Sequence, residues 1–268
     1  MDFTLKTYQK LLTALQNQGF TFQSFQEFLE KPVNKVIVLR HDVDKLPENS
    51  LLFAQIQHKL GIRGSYYFRI VPESFNAEII EKIAELGHEI GCHYEDIDIA
   101  SRIFKSNHQS PITSHQLAEK AIELFERHLE ELRKYYPVKT ICMHGSPLSK
   151  HDNKLLWKYY NYRDFGIVGE PYFDIDFSKV LYLTDTGRRW NGDRVSIRDK
   201  VKSKKTKVKS FKSTNDIIIS SEKGELPDQI MFTFHPQRWT NSPYLWTKEL
   251  VLQNVKNVVK YFLNKIRS

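Results

Sequence analysis

Short apolar runs rich in β-branched and aromatic residues recur along this chain with amphipathic stretches between them, and that alternation limits the fold more than any other feature. The runs are KVIVLRHDVD (35–44), GSYYFRI (64–70), HEIGCH (88–93), KTICMH (139–144), FGIVGE (165–170), VLYLTD (180–185), DIIIS (216–220) and QIMFTFH (229–235). Between them, residues 51–60, 77–86 and 117–135 carry apolar side chains three and four apart, the spacing of a helix with one buried face. Gly87 follows the second of these, where a helix C-cap belongs. Strands separated by helices imply a parallel sheet with helices outside it, and strands buried on both faces should read as continuous apolar runs, as IVL and MFTF do. The expected fold class is α/β, an irregular (β/α) barrel of about seven strands, for which 268 residues suffice. N-terminal helices are expected over residues 1–32 and a last helix over 244–266. Residues 186–228 are mostly polar and are expected to form a loop-rich insertion. No repeat or Pro-rich linker divides the chain, so a single domain over 1–268 is expected.

Charge limits the partners. Residues 200–212 contain seven lysines and no acid, and without them the net charge falls from +8 to +1. A solvated loop accounts for such a run better than a nucleic-acid surface does, and only Phe211 offers a ring for stacking on a base. Cys92 and Cys142, the two cysteines, are too few for a disulfide framework and have no Cys-x-x-Cys spacing for zinc. The N-terminal residues alternate charged and apolar side chains, and no window approaches 18 apolar residues. These features make cytoplasmic residence the expectation, with no membrane span. Nothing in the sequence bears on oligomeric state.

The ends of the runs carry the chemistry. Asp42 and Asp44, His93, His144, Asp185 and His235 all stand at C-terminal strand ends, which share one rim in a parallel barrel, the rim where barrel enzymes place their active sites. Asp42 and Asp44 are two apart on a strand and point to one side, so one can bind a divalent cation while the other takes a proton. Taken alone, an Asp-x-Asp pair is better explained by backbone capping at a strand-end turn. His93 follows a helix, turn and strand and is a candidate ligand, imidazole being the commonest ligand for a zinc-type metal. His88, at the opposite end of that strand, is assigned a structural role. Glu95, Asp96 and Asp98 lie just beyond His93, as further ligands or as solvated acids. Trp190 and Trp239, with Arg188, Arg189 and Arg238 beside them in sequence, are candidates for the wall of a sugar-sized pocket or for ordinary interior packing.

Four segments carry a resemblance to a known family. RHDVD (40–44), KLGIRGSYYF (59–68), IIEKIAELGHEIGCH (79–93) and FTFHP (232–236) resemble the motifs of the polysaccharide deacetylase family, the NodB-homology domain. The resemblance implies Asp42 as general base, Asp44 and His93 as metal ligands and His235 as general acid. It implies a divalent metal, zinc first, and hydrolysis of the amide C–N bond of an N-acylated amino sugar in a glycan or glycan precursor. The family's second ligand histidine, four residues after the first, falls on Ile97, which cannot bind a metal. His144 is the expected replacement, with Glu95 or Asp98 as fallback. The CMHGSP segment around it keeps Pro147 of the family's third motif but not the arginine. Asp185 and Trp190 are similar to the Asp and Trp of the fourth motif, and Asp185, Arg188, Trp190, Arg238 and Trp239 are the expected substrate-binding set. The competing expectation, prompted by Ile97, is a barrel without catalysis that binds a saccharide or nucleotide-sugar.

Overall fold

The computed structural model describes residues 1–107, 111–145, 151–190 and 211–267, with side chains to Val258. Lysines 200–209 and Pro147 lie outside the described residues.

The sheet is built around β2 (Val36–Val43), the longest strand, with every residue buried. It pairs in parallel with β3 (Ser65–Phe68) on one side and β7 (Gln229–Phe234) on the other, and β1 (Thr21–Gln23) extends the β3 side at the start of β2. β4 (Glu89–Tyr94) and β5 (Ile141–Met143) continue beyond β3, and β6 (Leu181–Thr184) lies beyond β7. All seven strands are parallel, in the order β5-β4-β3-β2-β7-β6 with β1 against β2. This is the α/β architecture and strand number expected. The two end strands, β5 and β6, do not pair among the described residues, so the barrel is an open, curled one.

The period-two alternation of β2 separates two interiors. Ile37, Leu39 and Val43 join the larger core beneath the helices, together with Tyr8, Leu11 and Leu15 of α1 (Leu5–Asn17) and Phe53 of α3 (Pro47–Lys59). Val36 and Val38 face the concave side, where they pack with Tyr67, Cys142, Met231 and with Phe25 and Phe28 of α2 (Phe25–Glu30). Burying each of these apolar side chains contributes on the order of 2 kcal/mol. α2 closes the N-terminal end of the barrel: the N–H groups of Phe25 and Gln26 donate to Ser65 Oγ and Glu89 Oε2, on the first residues of β3 and β4. The chain comes so close inside the barrel that a Cβ at Gly91 would overlap the Tyr67 ring. The opposite, C-terminal end is left for polar residues.

α4 (Ala77–Glu85) ends before Gly87, whose φ of +86° makes the turn, and α6 (Ser114–Arg133) matches the expected third helix. His88 is structural as expected: its Nδ1 accepts from Gly64 N at 3.2 Å and its Nε2 faces Ala54 O at 3.0 Å. α5 (Asp96–Ser106), the single-turn α7 (Pro171–Asp174), α8 (Thr214–Glu222) and α9 (Pro243–Arg267) complete the outer layer. Neither cysteine is in a disulfide, and both are buried. No helix among the described residues is long and apolar enough to cross a membrane.

Three expectations need correction. The DIIIS run is not a strand but part of α8 (Thr214–Glu222), inside the region expected to be loops. Ser213 accepts from Asp216 N, and Asp216 accepts from Ser213 N, a capping box that starts a helix, with Ile217, Ser220 and Ser221 buried at helical spacing. The FGIVGE run forms only a single bridge, Gly169 to Thr140, before Pro171 begins a helical turn. Within the N-terminal 32 residues, β1 interrupts the expected helices.

Candidate metal and acid–base site

Because all the strands run the same way, the residues at their C-terminal ends meet at one rim. Asp44 Oδ1 lies 3.6 Å from His93 Nε2 and 3.5 Å from His144 Nε2. All three atoms fall within 4.8 Å of one another. Ligands bonded to a tetrahedral metal at about 2.1 Å sit about 3.4 Å apart, so this spacing fits a single ion.

The second nitrogen or oxygen of each ligand is occupied in a way that fixes the first. His93 Nδ1 donates to Cys142 O at 3.0 Å, since a carbonyl can only accept, and this leaves Nε2 with its lone pair toward the rim. His144 Nδ1 donates to Glu95 Oε2 at 3.1 Å, with the same result. Asp44 Oδ2 accepts from Gln237 Nε2 at 2.9 Å, while its Oδ1 is buried with no hydrogen-bond partner. A buried carboxylate oxygen left bare costs stability unless a cation meets it, so the donor set and the orphaned oxygen both fit a divalent metal held by Asp44, His93 and His144.

Ile97 is fully buried in the core beneath the helices, away from this rim. His144, and neither fallback residue, joins Asp44 and His93 in the cluster. Glu95 is instead the brace behind His144: Oε1 accepts from Arg69 Nε at 3.0 Å and Nη2 at 2.6 Å. Burial would raise its pKa, but the hydrogen bond and charge of His144 and the charge of Arg69 outweigh it and pull the carboxyl down to about 2. Asp98 is engaged with Asn153, which also donates to His144 O at 2.8 Å. Glu95→Gln should therefore keep the metal site but weaken its affinity about 10–100-fold. Competition against a chelator measures this, and an unchanged affinity would remove Glu95 from the site.

Asp42 lies beside the three clustered side chains, its Oδ2 3.7 Å from His93 Nε2. A residue missed in the sequence holds it there. Arg40 donates from Nε to Oδ1 at 2.7 Å and from Nη2 to Oδ2 at 2.6 Å, a buried two-pronged pair within one strand. Burial alone would raise the Asp42 pKa, but the Arg40 charge, followed by His93, keeps the carboxyl below its ordinary range. The signal was present: Arg40 is two residues before Asp42 on the same strand face, the relation noticed for Asp42 and Asp44.

His235, just after β7, faces Asp185, just after β6. Its Nδ1 lies 2.5 Å from Asp185 Oδ1 and its backbone N–H donates to Oδ2 at 3.0 Å. The pair fixes the tautomer with Nδ1 protonated, leaving Nε2 to exchange a proton. The charge of His235 is among the influences that lower the pKa of both Asp42 and Asp44, so the imidazole shares their electrostatic field.

The other residues expected to touch substrate are placed differently. Asp185 is fully enclosed, taking further hydrogen bonds from Arg238 Nη1 at 3.1 Å and Trp239 Nε1 at 2.6 Å. Its carboxylate braces His235 and has no oxygen left for a sugar. Trp239 is packed among Phe3, Tyr8, Phe53 and Phe234, and Trp190 stacks on Phe3 and donates to Thr214 Oγ1. Arg188 lies over the rings of Phe3 and Trp246 and donates to Trp246 O at 3.0 Å. These tryptophans are enclosed, 5% and 1% exposed, because they pack on each other and Phe3 packs against both.

No family model matches the sequence, and no curated protein matches it. Among solved structures, the chain is similar to a CE4 family pseudoenzyme from Bacillus anthracis, at 12% identity and TM-score 0.41 over 86% of this chain and 63% of that one. It is similar to a family 4 carbohydrate esterase from Streptomyces lividans in complex with acetate, at 12% identity and TM-score 0.41 over 85% and 90% of the two chains. The Xyl-CE4 domain of a multidomain xylanase from the hindgut metagenome of Trinervitermes trinervoides matches at 12% identity and TM-score 0.38, over 84% and 83%. The chain spans less than two thirds of the pseudoenzyme it matches.

Proposed function

We propose that this chain is a divergent polysaccharide deacetylase, a metal-dependent hydrolase that removes the acyl group from an N-acylated amino sugar in a glycan or glycan precursor. The observation that carries the reading is the cluster of Asp44, His93 and His144, whose ligand atoms lie within 4.8 Å of one another, with an anionic carboxylate and a braced imidazole on the same rim. A bound divalent ion, zinc by the preference of two imidazoles and a carboxylate, supplies Lewis acidity to the amide carbonyl and makes water more acidic. Asp42 accepts the proton of the attacking water, and Arg40 keeps that carboxylate ionised and aimed. His235 Nε2 donates a proton to the departing amine, and Asp185 stabilises the imidazolium charge and its orientation. Cytoplasmic residence would favour a soluble or lipid-linked glycan precursor as substrate.

The test is elemental analysis of the purified chain and of His144→Ala, each reconstituted with zinc, combined with release of acetate from N-acetylated chito-oligosaccharides. About one ion per wild-type chain, lost in His144→Ala together with turnover, is the expected result. No ion in the wild-type protein after reconstitution would sink the hydrolase reading and leave a saccharide-binding barrel without catalysis.

A further inference from the structure

The most buried residues of α9 are polar: Gln253 and Asn257 are only 4% and 6% exposed, beside half-buried Trp246 and Leu250 on the same inward side. Gln253 donates to Asn257 Oδ1 at 2.9 Å, and Asn257 donates to Gly187 O at 2.9 Å. The outward side of α9 is apolar, with Val251, Val255 and Val258 at 57%, 59% and 56% exposed and Tyr244, Leu245 and Leu252 also exposed. Positions 251, 255 and 258 follow one another four and three apart, so these side chains form one strip, which the exposed Lys248 separates from Tyr244. A surface helix normally turns such a strip toward the core, and an exposed apolar patch of this length marks a surface that something covers.

The charge beside the strip distinguishes what covers it. The sequence from 243 to 267 carries Lys248, Lys256, Lys260, Lys265 and Arg267 against the single acid Glu249. Lys248 and Lys256 are exposed beside the strip, whereas Glu249 faces back to Lys45 at 3.9 Å. A second copy laid on this face would bring lysines against lysines, a like-charge contact that disfavours pairing. A bilayer with anionic headgroups offers the opposite: negative charge at the surface and an apolar layer just beneath it. We propose that α9 docks the protein on an anionic membrane surface, lying in the boundary between headgroups and acyl chains with its lysines among the headgroup phosphates.

The placement of α9 gives this surface a consequence. Asn257 holds Gly187, Trp246 O accepts from Arg188, and Glu249 meets Lys45. Those contacts are to the segments that follow Asp185 and Asp44, so the docking face lies beside the rim of the site. Under the proposed deacetylase reading, the rim would then meet amino sugars carried on membrane lipids. Docking itself does not depend on that reading.

Flotation of the full chain with vesicles tests it. Vesicles of phosphatidylcholine with phosphatidylglycerol should bind the protein on the order of tenfold more tightly than phosphatidylcholine alone, and added salt should weaken the binding. The double variant Val251→Asp, Val255→Asp should lose flotation while keeping the wild-type circular dichroism and thermal midpoint, both side chains being exposed. Wild-type protein that ignores anionic vesicles, or a variant that floats as well as wild type, overturns the proposal. A concentration-dependent dimer, dissolved by the same variant in a protein that stays off vesicles, assigns the strip to a second copy and overturns it too. A chain that binds no metal should still float, so the failure of the hydrolase reading is separable from this one.

Discussion

His235→Ala is expected to lower kcat for deacetylation about 10²–10⁴-fold with little change in metal content, the range for loss of a positioned general acid. The geometry argues for this because Nδ1 is committed to Asp185 at 2.5 Å, so the only proton His235 can exchange at the rim is on Nε2. Asp185→Asn should lose nearly as much without touching substrate, because an amide in that place no longer requires Nδ1 to be the protonated nitrogen and gives the imidazolium no compensating charge. The two losses should not add: once the imidazole is absent, its brace has nothing to hold, and the double variant should match His235→Ala within a few-fold. The leaving group supplies an independent check. An acetyl ester of a nitrophenol departs without a proton, so His235→Ala should retain far more of its activity on that substrate than on an acetamide. Equal losses on both substrates would show that His235 does not act as the acid, and kinetics within threefold of wild type on the acetamide would remove it from the reaction altogether.

What could be read in the sequence, and what could not, follows from how local each signal is. β2, β3, β4 and β7 were legible because a strand buried on both faces must be continuously apolar, and the polar residues that end those runs then had to share a rim. His144 was legible for the same reason. The DIIIS run was ambiguous, since a short apolar run fits a buried strand or one side of a helix equally well. Its Ser213 to Asp216 capping box was the local signal that decides the matter. The enclosure of Trp190, Trp239 and Asp185 was not legible at all. For the tryptophans it depends on Phe3, which enters with a φ of +55° from the far end of the chain and packs against both, and for Asp185 on the bonds from His235, Arg238 and Trp239. Arg40 was readable from its position two residues before Asp42, since a buried cation on that strand face needs a carboxylate partner within reach.

Arg40→Leu is expected to destabilise the metal-free protein by about 3–5 kcal/mol, the loss that follows when one partner of a buried ion pair is removed and the other stays behind. Leucine fills much of the space, so the loss comes chiefly from charge. Asp42 is 4% exposed and receives both of its Arg40 hydrogen bonds from a side chain that is itself buried. Glu170 shares the same interior: burial pushes its pKa up to about 7, even with the Arg40 charge pulling it down. A carboxyl whose folded pKa is raised contributes stability that is full below its ordinary value of 4.5 and is lost as pH climbs through about 7. Asp42 has the opposite sign in the wild-type protein, where Arg40 holds it low and its contribution is present above the ordinary aspartate value. Without Arg40 both groups shift upward, so the deficit of the variant should be small near pH 4 and widen toward pH 8. Urea unfolding in chelator at several pH values measures it. The double variant Arg40→Leu, Asp42→Asn should recover most of the lost stability at pH 8, because the carboxylate that Arg40 pairs is then replaced by a neutral amide. A double variant no more stable than Arg40→Leu would mean that packing of the guanidinium stem and its place over Tyr172, and not the pairing with Asp42, is what the fold requires of Arg40.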